Sequence, residues 1–75
     1  MKYFEVGSFV SVMRRVTLWT DIETLVEGDY VYPEDILFVI CSEETKFNFQ
    51  KVFCPRLGTF GWIFGESLRL IHEAD

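Results

Sequence analysis

The chain has 75 residues, 49% of them hydrophobic and 17% aromatic, with 12 Asp and Glu against 7 Lys and Arg for a net charge of −5. A chain this short makes one domain, residues 1–75, and its apolar content argues against intrinsic disorder. The scattered Lys and Arg form no basic patch of the kind that phosphate-backbone binding needs, so no nucleic-acid partner is expected.

The N-terminal "MKYFEVGSFVSVMRR" lacks a long apolar run and a small-residue cleavage site, so it does not read as a signal peptide. The longest apolar run, "ILFVIC", is far below the roughly 18 residues that a membrane span requires. An intracellular location is expected, with Cys41 and Cys54 reduced. Two thiols and one distant His72 do not make a zinc site, and no cofactor is implied.

"GSFVSV" alternates Val10 and Val12 with Phe9 and Ser11, the period of a half-buried strand. "VTLWTDIETLVEGDYVYPED" follows, rich in acids and punctuated by Gly28-Asp29 and Pro33. It reads as a long irregular loop. A single helical turn competes there, with Thr20 or Asp21 as N-cap, Ile22, Leu25 and Val26 at helical spacing, and Gly28 as stop. "DILFVIC" is a short β-branched run, and "NFQKVFCP" is a mixed strand that stops at Pro55. "TFGWIFG" alternates aromatics with small residues, and "SLRLIHE" alternates again. Five short strands with tight later links predict an all-β chain folded as a small closed or nearly closed barrel.

The run "DILFVI", "QKV", "GTFGWIFGESLRLI" resembles the second half of Src-homology-3-like (SH3-like) barrels. The resemblance implies a diverging turn at Tyr32-Pro33-Glu34-Asp35 and a Gly-aromatic-aliphatic element at Gly61-Trp62-Ile63. It implies a short 3-10 turn at Phe64 to Ser67 and a last strand at Leu68 to Ile71. Thr20 to Tyr32 would stand where the family has its long acidic loop. The family's register for the second and third strands sets Val39 near Val52, Cys41 opposite Gln50 and Cys54 opposite Leu37, which keeps the two thiols apart. The "VGSFV" start and the "GWI…L" end are also similar to small proteins of tailed bacteriophages, which would place the chain in a host cytoplasm.

With Ile63 and Leu68 inward, Leu37, Val39, Val52, Val10, Val12 and Leu18 complete the expected core. Phe60, Trp62 and Phe64 then take the opposite parity, and so do Ile36, Phe38 and Ile40. An apolar outer face implies a cover. Three covers are open: the chain's own N-terminal Tyr3, Phe4 and Val6; a second copy in a homo-oligomer; or another protein.

The proline-peptide groove of the family does not carry over. "FVSVMRR" stands at its Tyr-rich motif, Phe49 at its third-strand Trp, Phe64 at its Pro and Ser67 at its last Tyr. The acidic loop is retained in kind as Asp21, Glu23, Glu27 and Asp29, and Tyr30 and Tyr32 beside them could form a platform for a basic peptide. The alternative is a plain turn with packed tyrosines and solvated acids. Glu34-Asp35 and Glu43-Glu44 are adjacent pairs, so on strands each would split between faces rather than share a cleft. His72 has no nucleophile placed beside it, and Cys54 has no base, so no catalytic residue is assigned. Two functional readings remain. One is a non-enzymatic interaction or structural module that uses the aromatic outer face. The other is an acidic regulator that occupies a basic site on a partner protein.

Overall fold

The computed structural model describes residues 4–41 and 48–72. It is all-β. The strands are β1 (Phe9–Val12), β2 (Val16–Asp21), β3 (Val26–Val31), β4 (Leu37–Cys41), β5 (Phe49–Cys54), β6 (Thr59–Phe64) and β7 (Leu68–His72), with a 3-10 turn at Gly65–Ser67. No helix among the described residues is long and apolar enough to cross a membrane. The strands form one antiparallel sheet in the order β3-β2-β6-β5-β4-β1-β7.

This corrects the expected five-stranded closed or nearly closed barrel. Among the described residues there are seven strands, and the sheet is open, with β3 and β7 at its edges. The two extra strands come from the acid-rich segment, which is a hairpin and not an irregular loop. Asp21 ends β2, and its carboxylate accepts hydrogen bonds from the Glu23 N–H at 2.9 Å and the Thr24 hydroxyl at 2.9 Å. The side chain thus does the capping work expected of it, but no helical turn follows. Leu25 takes a positive φ of 54°, and Val26 comes back to pair with Asp21. Gly28 sits where the β2–β3 register shifts, and a Cβ there would lie 2.5 Å from the Leu18 carbonyl oxygen. Only glycine fits so close to a neighbouring backbone.

All eight residues expected to point inward are fully buried: Val10, Val12, Leu18, Leu37, Val39, Val52, Ile63 and Leu68. Val31 and Cys54 join them, so every strand supplies the same core and the open sheet must curl around it. Leu18 packs directly on Gly61, which leaves the space that its side chain fills. Val39 does lie opposite Val52. A register shift after Val39 then places Cys41 opposite Lys51, not Gln50.

Gln50 is inward, fully buried and satisfied. Its amide oxygen accepts the Phe4 N–H at 3.0 Å, and its amide nitrogen donates to the Phe4 carbonyl. The side chain thereby pairs with a piece of backbone as a neighbouring strand would. Further along, the Gly7 N–H donates to the Val39 carbonyl at 2.8 Å and the Val39 N–H to the Ser8 carbonyl at 3.0 Å. Phe4 enters the inner core, while Val6 is exposed. The N-terminal segment therefore does not lie over the outer aromatics through these two residues, and Tyr3 lies outside the described residues.

The turn at Tyr32-Pro33-Glu34-Asp35 is tied from several sides. Buried Asp35 accepts the Tyr32 N–H at 2.9 Å and binds Arg56 through Nε at 2.7 Å and Nη2 at 3.1 Å. The Ser11 hydroxyl reaches the Pro33 carbonyl at 2.8 Å and also that of Asp35. The hydrogen bond from Arg56, more than the opposing cost of burial, holds the Asp35 carboxyl below the usual carboxylate range.

Candidate functional site

The outer face follows from parity and register. Inward Val52 and Ile63 leave Lys51, Phe53, Phe60, Trp62 and Phe64 on the other side of β5 and β6. Residues directly opposite in an antiparallel pair share a face. Phe9 lies opposite Phe38, Phe38 opposite Phe53, and Phe53 opposite Phe60. Four phenylalanines therefore run in one row across β1, β4, β5 and β6. Ring centroids are 4.3 Å apart for Phe9 and Phe38, a close contact, and 5.3 Å for Phe53 and Phe60, within the range of favourable aromatic pairs. His72 continues the row onto β7, with its ring 6.3 Å from Phe9.

A second row crosses the same face. Lys51 lies opposite Trp62, Trp62 opposite Trp19, and Trp19 opposite Glu27. The Lys51 Nζ stands 5.5 Å from the Phe60 ring centre and 5.6 Å from that of Trp62. Its stem thus covers the aromatics while its charge stays over their rings. At the far end of β6, Phe64 makes an edge contact with Phe49 at 5.7 Å.

The surface remains open despite these contacts. Phe60 is 53% exposed, Ile36 54% and Phe38 37%, and Phe64 is exposed as well. Trp62 and Ile40 are half-buried, Ile40 at the register shift of β4. The structure brings Phe38, Phe60 and Trp62 together through Phe53 and Lys51. It sets Phe64 apart with Phe49, and Ile36 just ahead of β4. Four contributors escaped the sequence reading: Phe9, Phe53, Trp19 and Lys51. Their parity relative to Val10, Val52 and Leu18 was available, but their common row depends on registers that link distant strands.

Comparison with family models, curated proteins and solved structures finds no match.

The acidic and tyrosine group sits on the β2–β3 hairpin and its exit. Asp21 is committed to the turn; the hydrogen bond from the Glu23 N–H, with help from Thr24, lowers its pKa. Glu23, Glu27 and Asp29 are exposed. Acids on an edge strand such as β3 oppose pairing with another chain. Tyr30 and Tyr32 already carry cations: the Arg15 guanidinium lies 4.5 Å from the Tyr30 ring centre and that of Arg56 5.4 Å from the Tyr32 ring. On the platform that a basic peptide could use, one face of each ring is thus taken by the chain's own arginines, while both tyrosines stay exposed. Glu43 and Glu44 lie outside the described residues. Among the described residues no group of three or more His, Cys, Asp or Glu is placed to hold a metal ion.

Proposed function

We propose that this chain is a non-enzymatic interaction or structural module that acts through the outer aromatic face of β4, β5 and β6. One observation carries the reading. Phe38 and Phe60 remain exposed although they belong to a cross-strand row of phenylalanines, paired by register through Phe53, on the strands that form the middle of the sheet. A contiguous apolar patch of this kind marks contact sites on soluble proteins. An SH3-like ancestry is part of the proposal. The turn at Tyr32–Asp35, β4, β5, β6, the 3-10 turn and β7 follow in the order that resemblance implies. Origin in a tailed bacteriophage, and with it a host cytoplasm, is likewise a proposal that rests on the two short motifs alone.

The acidic-regulator reading has less support, because an arginine of the chain already stands over one face of each tyrosine ring. Salt separates the two. Complexes captured from a native lysate that are lost with Trp62→Ser and survive high salt belong to the aromatic face. Complexes that survive Trp62→Ser and fall apart as salt rises belong to the acids, because screening acts on charge and not on apolar contact.

A further inference from the structure

We propose that the chain forms a symmetric dimer by laying the row Glu27–Trp19–Trp62–Lys51 against the same row of a second copy, run in the opposite sense. The proposal rests on the aromatic-face reading and names the occupant of that face. The four residues stand on β3, β2, β6 and β5, which are consecutive neighbours in the sheet, and each is directly opposite the next. Adjacent strands lie about 4.8 Å apart, so the acid and the amine are separated by roughly 14 Å with two indoles between them. They are too far apart to pair with one another. Among the described residues the ion pair is Arg56–Asp35, and neither Glu27 nor Lys51 has an opposite charge within 4 Å. Lys51 rests over two aromatic rings instead.

The order acid, indole, indole, amine is complementary to its own reverse. Two copies meeting face to face need a two-fold axis in the plane between them. If the axis runs along the strands, between Trp19 and Trp62, the row is reversed. Glu27 then meets Lys51 of the second copy, Trp19 meets Trp62, and the same contacts repeat on the other side. If the axis runs along the row, Glu27 meets Glu27 and Lys51 meets Lys51. Charge therefore selects the first arrangement, which is the reciprocal contact that a two-fold interface demands. It also brings the two sheets together with strands nearly aligned, an ordinary way for sheets to pack. The indoles supply the apolar centre, and the two ion pairs set orientation, as charges at interfaces commonly do.

The test is sedimentation equilibrium on the full chain at about 0.15 M salt, with circular dichroism to confirm folding. The samples are the parent, Lys51→Glu, Glu27→Lys, the double swap, and an equimolar mixture of the two single variants. A dimeric parent is expected. Each single variant should dimerise at least about tenfold more weakly, because like charges then face each other twice. The double swap should recover the parent's dimer. The mixture should also form dimers, since each variant now carries what the other lacks. A parent that stays monomeric to about 1 mM, a dimer that neither single variant weakens, or a mixture and swap that fail to recover would each overturn the proposal. Trp62→Ser tells this failure from failure of the wider reading. If it dissolves a dimer that the charge variants leave intact, the aromatic face stands and the reciprocal row falls. If nothing on this face moves the dimer, both fall.

Discussion

Gly61 offers the sharpest probe of the core, because the demand for glycine there is purely one of space. Its φ is not in the left-handed region, so alanine suits the backbone. A Cβ at this position, however, would lie 2.3 Å from Leu18 Cγ, 2.6 Å from Cδ1 and 3.0 Å from Cδ2. Carbon atoms in contact rest about 3.5–4.0 Å apart, so Leu18 would have to withdraw by more than about 1 Å. Leu18 is only 1% exposed and is walled in by the core, so it has little room to do so. Overpacking costs about 1–3 kcal/mol, and removal of a strand glycine returns about 0.5–1 kcal/mol. Gly61→Ala should therefore destabilise by about 1–2 kcal/mol, a fall in Tm of roughly 10 °C for a chain of this size. The assay is urea unfolding followed by tryptophan fluorescence, repeated in a Leu18→Ala background with a stabilising osmolyte. Leu18→Ala alone should cost about 2–5 kcal/mol. With the leucine gone, Gly61→Ala should be neutral or slightly favourable, a coupling of roughly 2 kcal/mol between the two sites. If Gly61→Ala is stabilising in the parent, or costs the same in both backgrounds, β2 does not pack on β6 as described.

Three further outcomes are expected. Ile63→Ala should cost about 2–5 kcal/mol, whereas Trp62→Ser, on the half-buried outer face, should cost less; thermal unfolding of both variants checks the parity, and the reverse order would invert it. Asp35→Asn should cost about 1–2 kcal/mol at neutral pH as its charged hydrogen bonds weaken, a figure kept low because Arg56 is half exposed. The folded pKa of Asp35 is lowered, so its contribution is present above the unfolded value of about 3.9 and fades as pH falls through the folded one; a gap between parent and Asp35→Asn that persists undiminished in urea melts near pH 2 would refute the assignment. Cys41 and Cys54 should stay unlinked under mild oxidation, since Cys41 lies opposite Lys51 and Cys54 stands three residues further along β5, roughly 10 Å away along the strands; a mass two hydrogens lighter under non-reducing conditions would contradict that register.

The parts that alternation encodes were legible before any coordinates. Ile63 and Trp62 fall on opposite faces because neighbouring side chains on a strand must, and the same rule placed Leu37 and Val39 inside. The short 3-10 turn came from the resemblance and stands at Gly65–Ser67. The hairpin was not legible, because β3 is an edge strand with one buried residue, Val31, and otherwise exposed positions. Such a strand has no apolar period to read, and its acids and glycine look like loop. The seating of Phe4 was equally hidden: Gln50 is 46 positions away, and no local pattern announces an amide that will serve as a strand partner. The aromatic rows lie between these cases. Each ring's face could be inferred, but Phe9 with Phe38, or Trp19 with Trp62, become neighbours only through pairing between distant segments.

The place of β1 between β4 and β7 has a kinetic meaning. Phe9 to Val12 are synthesised well before their partners: Val12 finds its opposite residue in Leu68 and Val10 in Leu70, more than fifty positions later. Loop closure over so long a separation delays the return from those contacts, and β proteins held by distant pairings fold in milliseconds to seconds, not microseconds. The local hairpins β2–β3 and β5–β6 have no such delay. A nascent chain that has not yet made Leu68 holds two valines of its future core with one side of their strand unpaired, an edge open to a wrong partner until β7 arrives.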